Sequence, residues 1–371
     1  MPKTNVKFRK TVKLFVTTIA MSAGLGWNPL SPLYVLRAQI PRPTTKFQVD
    51  PFWPKPLPND LILGPGSGVC VDPADHVMIV QRTADIKETN PEQSAEYGPS
   101  VVEYGADGNV LRMWGDPKLI PAAVHSCVFS RDGNVWIDGQ DDAVVQKYTR
   151  DGKLLLQIGN KLKFDTSDGT IKGKALDSSH ELLNRPTAMA EDPSNGDLYV
   201  ADGNGNHRIV VFDSNGKYLR QFGRLATKEE AEGGVGGAFR KSIHCLVLSN
   251  DGLIYTCDRE GRRIQVFDKA GNYKTSLFVP RKRADLPGRP EITTLVLSRD
   301  KDQKYMYVGT PEGRIWTVER QSGQVVSAFG RHGTMAGEFY VHDLAINSEG
   351  DLFIAEEGGR RTQRFKAVGK D

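Results

Sequence analysis

Residues 125–159 read HSCVFSRDGNVWIDGQDDAVVQKYTRDGKLLLQIG, and this stretch decides the fold. Short alternating apolar runs are separated by Asp-Gly turns, which is the period and punctuation of antiparallel strands joined by hairpins; helical spacing is missing. The same phrasing returns at residues 186–223, PTAMAEDPSNGDLYVADGNGNHRIVVFDSNGKYLRQFG, and at 244–278, HCLVLSNDGLIYTCDREGRRIQVFDKAGNYKTSLF. A looser copy starts near Gly68 and runs through VVEYGADGNVLRMWG, and another runs from TTLVLSRD through GRIWTVERQSGQVVSAFG. The last is HDLAINSEGDLFIAEEGGRRTQRF, from His342. Six copies result, each of about 40 residues. One such copy cannot bury both faces of its sheet, so neighbouring copies must pack face to face and the ring must close. The reading is an all-β, six-bladed β-propeller over residues 66–371. Its last copy runs out after roughly three strands, so Thr45–Pro51, within the segment 39–65, is expected to add the missing outer strand and remove the open edge.

Three histidines hold one place in this repeat. His125, His244 and His342 each lie seven residues before the turn of their copy, at Asp132-Gly133, Asp251-Gly252 and Glu349-Gly350. They occupy alternate copies, and alternate blades of a six-membered ring are about 120° apart, so the imidazoles are expected to meet on the axis. The equivalent places in the first, third and fifth copies are read as Gly68, Thr187 and Thr293, small residues that leave the axis open. Three neutral imidazoles with a free fourth position describe a catalytic rather than a structural zinc centre. Ligand type alone leaves iron and copper open. His76, His180, His207 and His332 share no offset and are read as structural or solvent-exposed.

Charge narrows the partners. The 371 residues carry a formal +4, but residues 1–38 hold six basic side chains and no acidic one, so the remainder is close to −2. Without a basic stripe and interleaved aromatics, a nucleic-acid partner is not expected. KFRKTVK at Lys7–Lys13 precedes LFVTTIAMSAGLGW, 14 mostly apolar residues. That is the length of a signal-peptide core and short for a membrane span, which points to a periplasmic or secreted protein; an uncleaved anchor is the alternative. Ala38 before Gln39 is a candidate cleavage site. The chain is expected to act as a monomer. Cys70, Cys127, Cys245 and Cys257 are read as small buried hydrophobes rather than paired disulfides, because most sit on inner strands of blades that are not neighbours. Long polar connections at Thr83–Pro99, Asn160–Leu183, Arg224–Lys241 and Val279–Glu291 are expected to gather at one face and shape a channel mouth.

From Ser67 to Phe365 the sequence resembles peptidyl-α-hydroxyglycine α-amidating lyase, and more broadly NHL-repeat proteins. SGVCVDPADHVMIVQR at 67–82 resembles the first-blade strand pair that ends in an active-site arginine, and Arg82 falls on it. HSCVFSRDGNVW resembles the first zinc-histidine segment at His125, and the other zinc histidines fall on His244 and His342. RPTAMAEDPSNGDLYVADGNGNHRIVVF is similar to the third-blade motif, and CDREGRRIQVF to the segment carrying a second active-site arginine, here Arg259. The resemblance implies a zinc-dependent lyase that cleaves a C-terminal hydroxyglycine to a peptide amide and glyoxylate. It also implies a structural calcium beneath the zinc, held by Asp343 and by the carbonyls of Val69 and Cys127, an oxygen-rich set that suits this ion.

One departure is chemical. Where the family places a tyrosine as base, this chain runs Asp202-Gly203-Asn204, and an amide can orient a substrate but cannot take its proton. The implied division of labour gives carboxylate binding to Arg82 and Arg259. Charge stabilisation falls to the metal. A metal-held hydroxide or a channel-loop tyrosine is left to replace the base. A lactonase-like metallohydrolase and a non-catalytic NHL scaffold for a protein or glycan are the other readings, and fold analogy does not choose among them.

Overall fold

The computed structural model describes residues 45–83, 96–281 and 288–369. The expected leader at 1–38 and the candidate cleavage site at Ala38 lie outside them. Six four-stranded antiparallel sheets follow one another along the chain. In blade 2 the strands are Val124–Phe129, Val135–Gly139, Val144–Tyr148 and Leu154–Gly159, running from the axis outward. The inner strands of the other blades are Gly66–Val71, Ala188–Glu191, Ile243–Leu248, Thr294–Leu297 and Asp343–Ile346. The first hairpins of blades 2, 4 and 6 turn where the sequence places their acidic-Gly pairs. Gly133 sits at φ 81°, a left-handed conformation that side-chained residues rarely adopt, and its N–H closes the turn on the Ser130 carbonyl at 2.9 Å.

Blade 6 is completed from the other end of the chain. Lys46–Asp50 pairs antiparallel with Arg361–Val368, in register from Lys46 opposite Val368 to Asp50 opposite Arg364. The face of this strand then packs on blade 5, with the Phe47 ring stacked on Phe329 at 4.8 Å. Trp53 follows into the seam between blades 6 and 1, against Tyr104 and Phe353. The core is accordingly six buried apolar clusters, one in each seam between neighbouring sheets. This is how a sheet with two apolar faces is buried without a second layer. The acidic segment at Glu229–Glu232 forms the short helix Lys228–Gly233, capped by Thr227 and Glu230. Among the described residues no helix is long and apolar enough to cross a membrane.

Two sequence expectations are corrected. All four cysteines are paired: Cys70 with Cys127, and Cys245 with Cys257. Blades 1 and 2 are neighbours whose inner strands converge toward the axis, which brings Cys70 and Cys127 to a Cα separation of 5.8 Å. Cys245 and Cys257 face each other across the hairpin of a single blade. The second correction concerns Gly68, which lies opposite Val80 and so sits one residue past the histidine place; Ser67 occupies that place. Gly68 has a different reason to be glycine. A Cβ there would lie 2.8 Å from the Ser126 Cα, 2.8 Å from Val80 Cγ2 and 2.9 Å from the His125 carbonyl. Gly68→Ala is therefore expected to cost about 1–3 kcal/mol, because backbone must move to make room. A fall in the urea midpoint at unchanged slope would register it, and an unchanged midpoint would mean the two inner strands are not in contact.

Candidate metal centre

The three histidines do meet. His125, His244 and His342 are buried, their donor atoms lie within 4.8 Å of one another, and their ring centroids are 4.8–5.2 Å apart. A one-residue bulge falls at His125-Ser126 and another at His244-Cys245, where the inner-strand pairing shifts register. Bulges re-aim side chains that a regular ladder would hold flat. The N–H that the first bulge frees is taken by the Asp138 carboxylate, at Ser126, while in blade 4 the Cys245–Cys257 disulfide spans the corresponding place.

Each ring is fixed by the blade that follows. Nδ1 of His125 lies 2.7 Å from the Thr187 carbonyl, Nδ1 of His244 2.8 Å from that of Thr293, and Nδ1 of His342 2.6 Å from that of Ser67. A carbonyl can only accept, so Nδ1 carries the proton and Nε2 of the neutral ring keeps its lone pair. Such a hydrogen bond sets both tautomer and orientation in metal-ligating histidines. Burial holds all three rings neutral, with help from their mutual proximity and from the nearby guanidinium charges of Arg82 and Arg259. His125 is pushed well below its ordinary value, His244 down to about 3 and His342 to about 4. Three lone pairs that converge without a donor repel one another unless an electrophile sits among them. The donor set thus fits an ion of the zinc type with an open position.

The same central cavity is lined by Val69, Cys127 and Asp343 on the histidines' inner side. Asp343 accepts from the N–H groups of Val69 at 3.1 Å and Leu344 at 2.9 Å, and from the Thr294 hydroxyl at 3.0 Å. Burial lifts its pKa to about 6, and no basic side chain among the described residues pairs with it. One carboxylate with no cationic partner among the described residues suits a hard cation.

The remaining predicted residues stand just past the strand ends on the other side of the histidines. Arg82 donates through Nε to the Val124 carbonyl at 2.9 Å, to Gln140 at 3.1 Å and to Glu357 at 2.7 Å, so every nitrogen of its guanidinium is engaged. The Arg259 guanidinium is freer: among the described residues it hydrogen-bonds only through Nε, to Glu291 at 3.2 Å. Asn204 accepts from the Ser242 hydroxyl at 2.9 Å, which also reaches Glu260 at 3.2 Å, and Glu260 lies 4.0 Å from Arg259. The structure therefore groups Asn204 with Arg259 and groups Arg82 with His342. Sequence reading missed Glu357, Gln140, Ser242 and Glu260. A signal was present: Arg259, Glu357 and Gln140 each stand fifteen residues after the histidine of their blade, and Arg82 stands fifteen after Ser67.

Comparison with known proteins agrees with this architecture. The NHL repeat model matches residues 183–212, the first three strands of blade 3. NHL repeat-containing protein 3 of Homo sapiens is 24% identical over 72% of this chain and 72% of its own length. Peptidyl-glycine alpha-amidating monooxygenase B of Xenopus laevis is 28% identical over 82% of the chain, which spans only 34% of that longer protein. A probable peptidyl-alpha-hydroxyglycine alpha-amidating lyase of Caenorhabditis elegans is 23% identical over 79% of the chain and 80% of its own. Among solved structures, the virginiamycin B lyase of Staphylococcus aureus superposes with a TM-score of 0.52 at 18% identity, covering 86% of this chain and 85% of that one. This last likeness is one of fold.

Proposed function

We propose that this NHL-repeat propeller, with amidating lyases among its relatives, is an exported zinc-dependent carbon–nitrogen lyase that cleaves a C-terminal hydroxyglycine-like group and releases glyoxylate. The observation that carries the proposal is the set of three buried, neutral imidazoles whose unprotonated nitrogens face one another on the axis. When bound there by His125, His244 and His342, a zinc ion supplies a Lewis acid for a substrate oxygen. Arg259, with both terminal nitrogens free of partners among the described residues, pairs with the substrate carboxylate in a two-point hydrogen bond. Asn204, next to it through Ser242, orients the substrate amide. Arg82 contributes positive charge at the opposite wall. A calcium ion held by Asp343 with the Val69 and Cys127 carbonyls would brace the inner strands below. Export accords with the two disulfides, which persist in oxidising compartments.

The test is direct. Zinc-loaded chain is expected to convert α-hydroxyhippurate to benzamide and glyoxylate, to lose that activity on chelation, and to regain it with added zinc. Turnover of lactones or esters with no glyoxylate would replace the lyase by a metallohydrolase. That second reading draws on the pairing of Arg82 and Arg259 with carboxylates, which leaves the mouth less cationic than two free arginines would. Absence of any bound metal from the purified protein would leave a scaffold.

A further inference from the structure

The unfilled role is that of the base, and one carboxylate stands where it is needed. Glu357 lies just past the second strand of blade 6, fifteen residues after His342, at the position that carries Arg259 in blade 4. Its Oε2 is 3.4 Å from Nε2 of His342. His342 carries its proton on Nδ1 and donates that N–H to the Ser67 carbonyl, so this approach brings together two acceptors with no hydrogen between them. Such a contact marks the edge of a place meant for a cation or for a proton-bearing ligand. Arg82 pins the other carboxylate oxygen at 2.7 Å, and Arg82 is itself fixed by Val124 and Gln140. Glu357 is not among the residues whose donor atoms gather within 4.8 Å, so it stands beside the centre rather than in it. About a third of its side chain is exposed.

Building on the lyase reading above, we propose that Glu357 is the catalytic base that removes the substrate hydroxyl proton, held in place by Arg82 and standing in for the tyrosine that Asn204 replaces. The step balances without a co-reactant. Glu357 takes the hydroxyl proton, the O–H pair becomes the second bond of the new carbonyl, and the carbon–nitrogen pair leaves with the amide nitrogen. The protonated Glu357 then returns the proton to that nitrogen. No atom is oxidised overall. Arg82 is on this account a positioning residue, and the substrate carboxylate belongs to Arg259.

Two measurements test it, and only one needs turnover. With α-hydroxyhippurate, Glu357→Gln is expected to lower kcat by about 10²- to 10⁴-fold, the range for general-base catalysis, while KM stays within a few-fold. Formate or acetate should restore part of the rate to Glu357→Ala, a rescue that a merely structural carboxylate would not give. In the second measurement the zinc-loaded wild type should bind mandelate more tightly than phenylacetate, which lacks only the hydroxyl, and Glu357→Ala, which keeps no acceptor, should narrow that preference. Zinc affinity in a chelator competition should be unchanged. An unchanged hydroxyl preference in Glu357→Ala or an undiminished kcat in Glu357→Gln overturns the proposal, and a 100-fold loss of zinc affinity makes Glu357 a ligand instead. Failure of the wild type to release glyoxylate would sink the lyase reading, while the mandelate comparison would still judge Glu357.

Discussion

His244→Ala is expected to purify without metal, and the wild type with about one zinc per chain at the proposed three-histidine centre. Even the outer partners of ligating histidines are worth about 10- to 100-fold in affinity, so loss of a ligand itself should exceed 100-fold. Glyoxylate release should fall with it to the level of the chelated wild type. Blades 3 and 5 show that the propeller tolerates other side chains at this place. Thr187 and Thr293 occupy it, their hydroxyls 3.2 Å from the Ala201 and Gly309 carbonyls. His244→Thr therefore gives a second variant matched to the fold's own solution. His180→Ala is the control, since His180 stacks on Tyr218 far along the chain from the repeat offset and should leave metal content intact. Elemental analysis after gel filtration reads all three proteins. Full zinc occupancy in both His244 variants would remove the axial centre, and with it the enzymatic reading.

The histidines were legible because a closed ring turns a shared offset in sequence into a shared point in space. Nothing about a single histidine announced it; the turn glycines gave the ruler. Blade 1 shows the ruler failing. There Asp75, at φ 62°, takes the turn place that glycine holds in blades 2, 3, 4 and 6, so the offset could not be counted and Gly68 was taken for the position that Ser67 fills. The bulges at His125 and His244 were likewise invisible, since one extra residue in a strand leaves no compositional mark.

Disulfides failed for a different reason. Pairing depends on which strands are neighbours and how far they converge, and Cys70 with Cys127 is a contact between blades that strand-by-strand reading treats as independent. Closure by Lys46–Asp50 was readable because a three-stranded last copy leaves an edge that must be covered. Glu357 escaped notice through its sign. The offset that singles out Arg82 and Arg259 singles it out equally, but a search for carboxylate-binding cations passes over an anion at the same ring position.

Acid should destabilise the metal-free protein through the same three imidazoles. In the unfolded chain each histidine takes up a proton near its ordinary value of 6.5, while in the folded chain burial delays protonation to about 3 at His244 and about 4 at His342, and well below the ordinary value at His125. Below about pH 6.5 the unfolded state therefore binds more protons, and stability falls with pH until the folded values are reached. By pH 4.5 the loss is on the order of 2–3 kcal/mol at each of His244 and His342, with His125 acting in the same direction. Asp343 and Asp138 act in the opposite sense, because burial raises them to about 6 and about 7. Their stabilising contribution is complete below the ordinary carboxylate range and is lost as pH rises through those values, so they offset part of the histidine term between about pH 7 and 4. Substitution separates the two. The triple change of His125, His244 and His342 to threonine deletes the histidine term and keeps both carboxylates, so urea midpoints of the metal-free triple variant should hold steady or rise from pH 7 to 4.5 while those of the metal-free wild type fall. Zinc should protect the wild type at pH 7, where it binds the neutral rings of the folded state alone, and lose that protection as acid competes for them. Parallel pH profiles for the two proteins would mean that the rings are not held neutral in the fold, and the converging lone pairs on which metal binding depends would not exist.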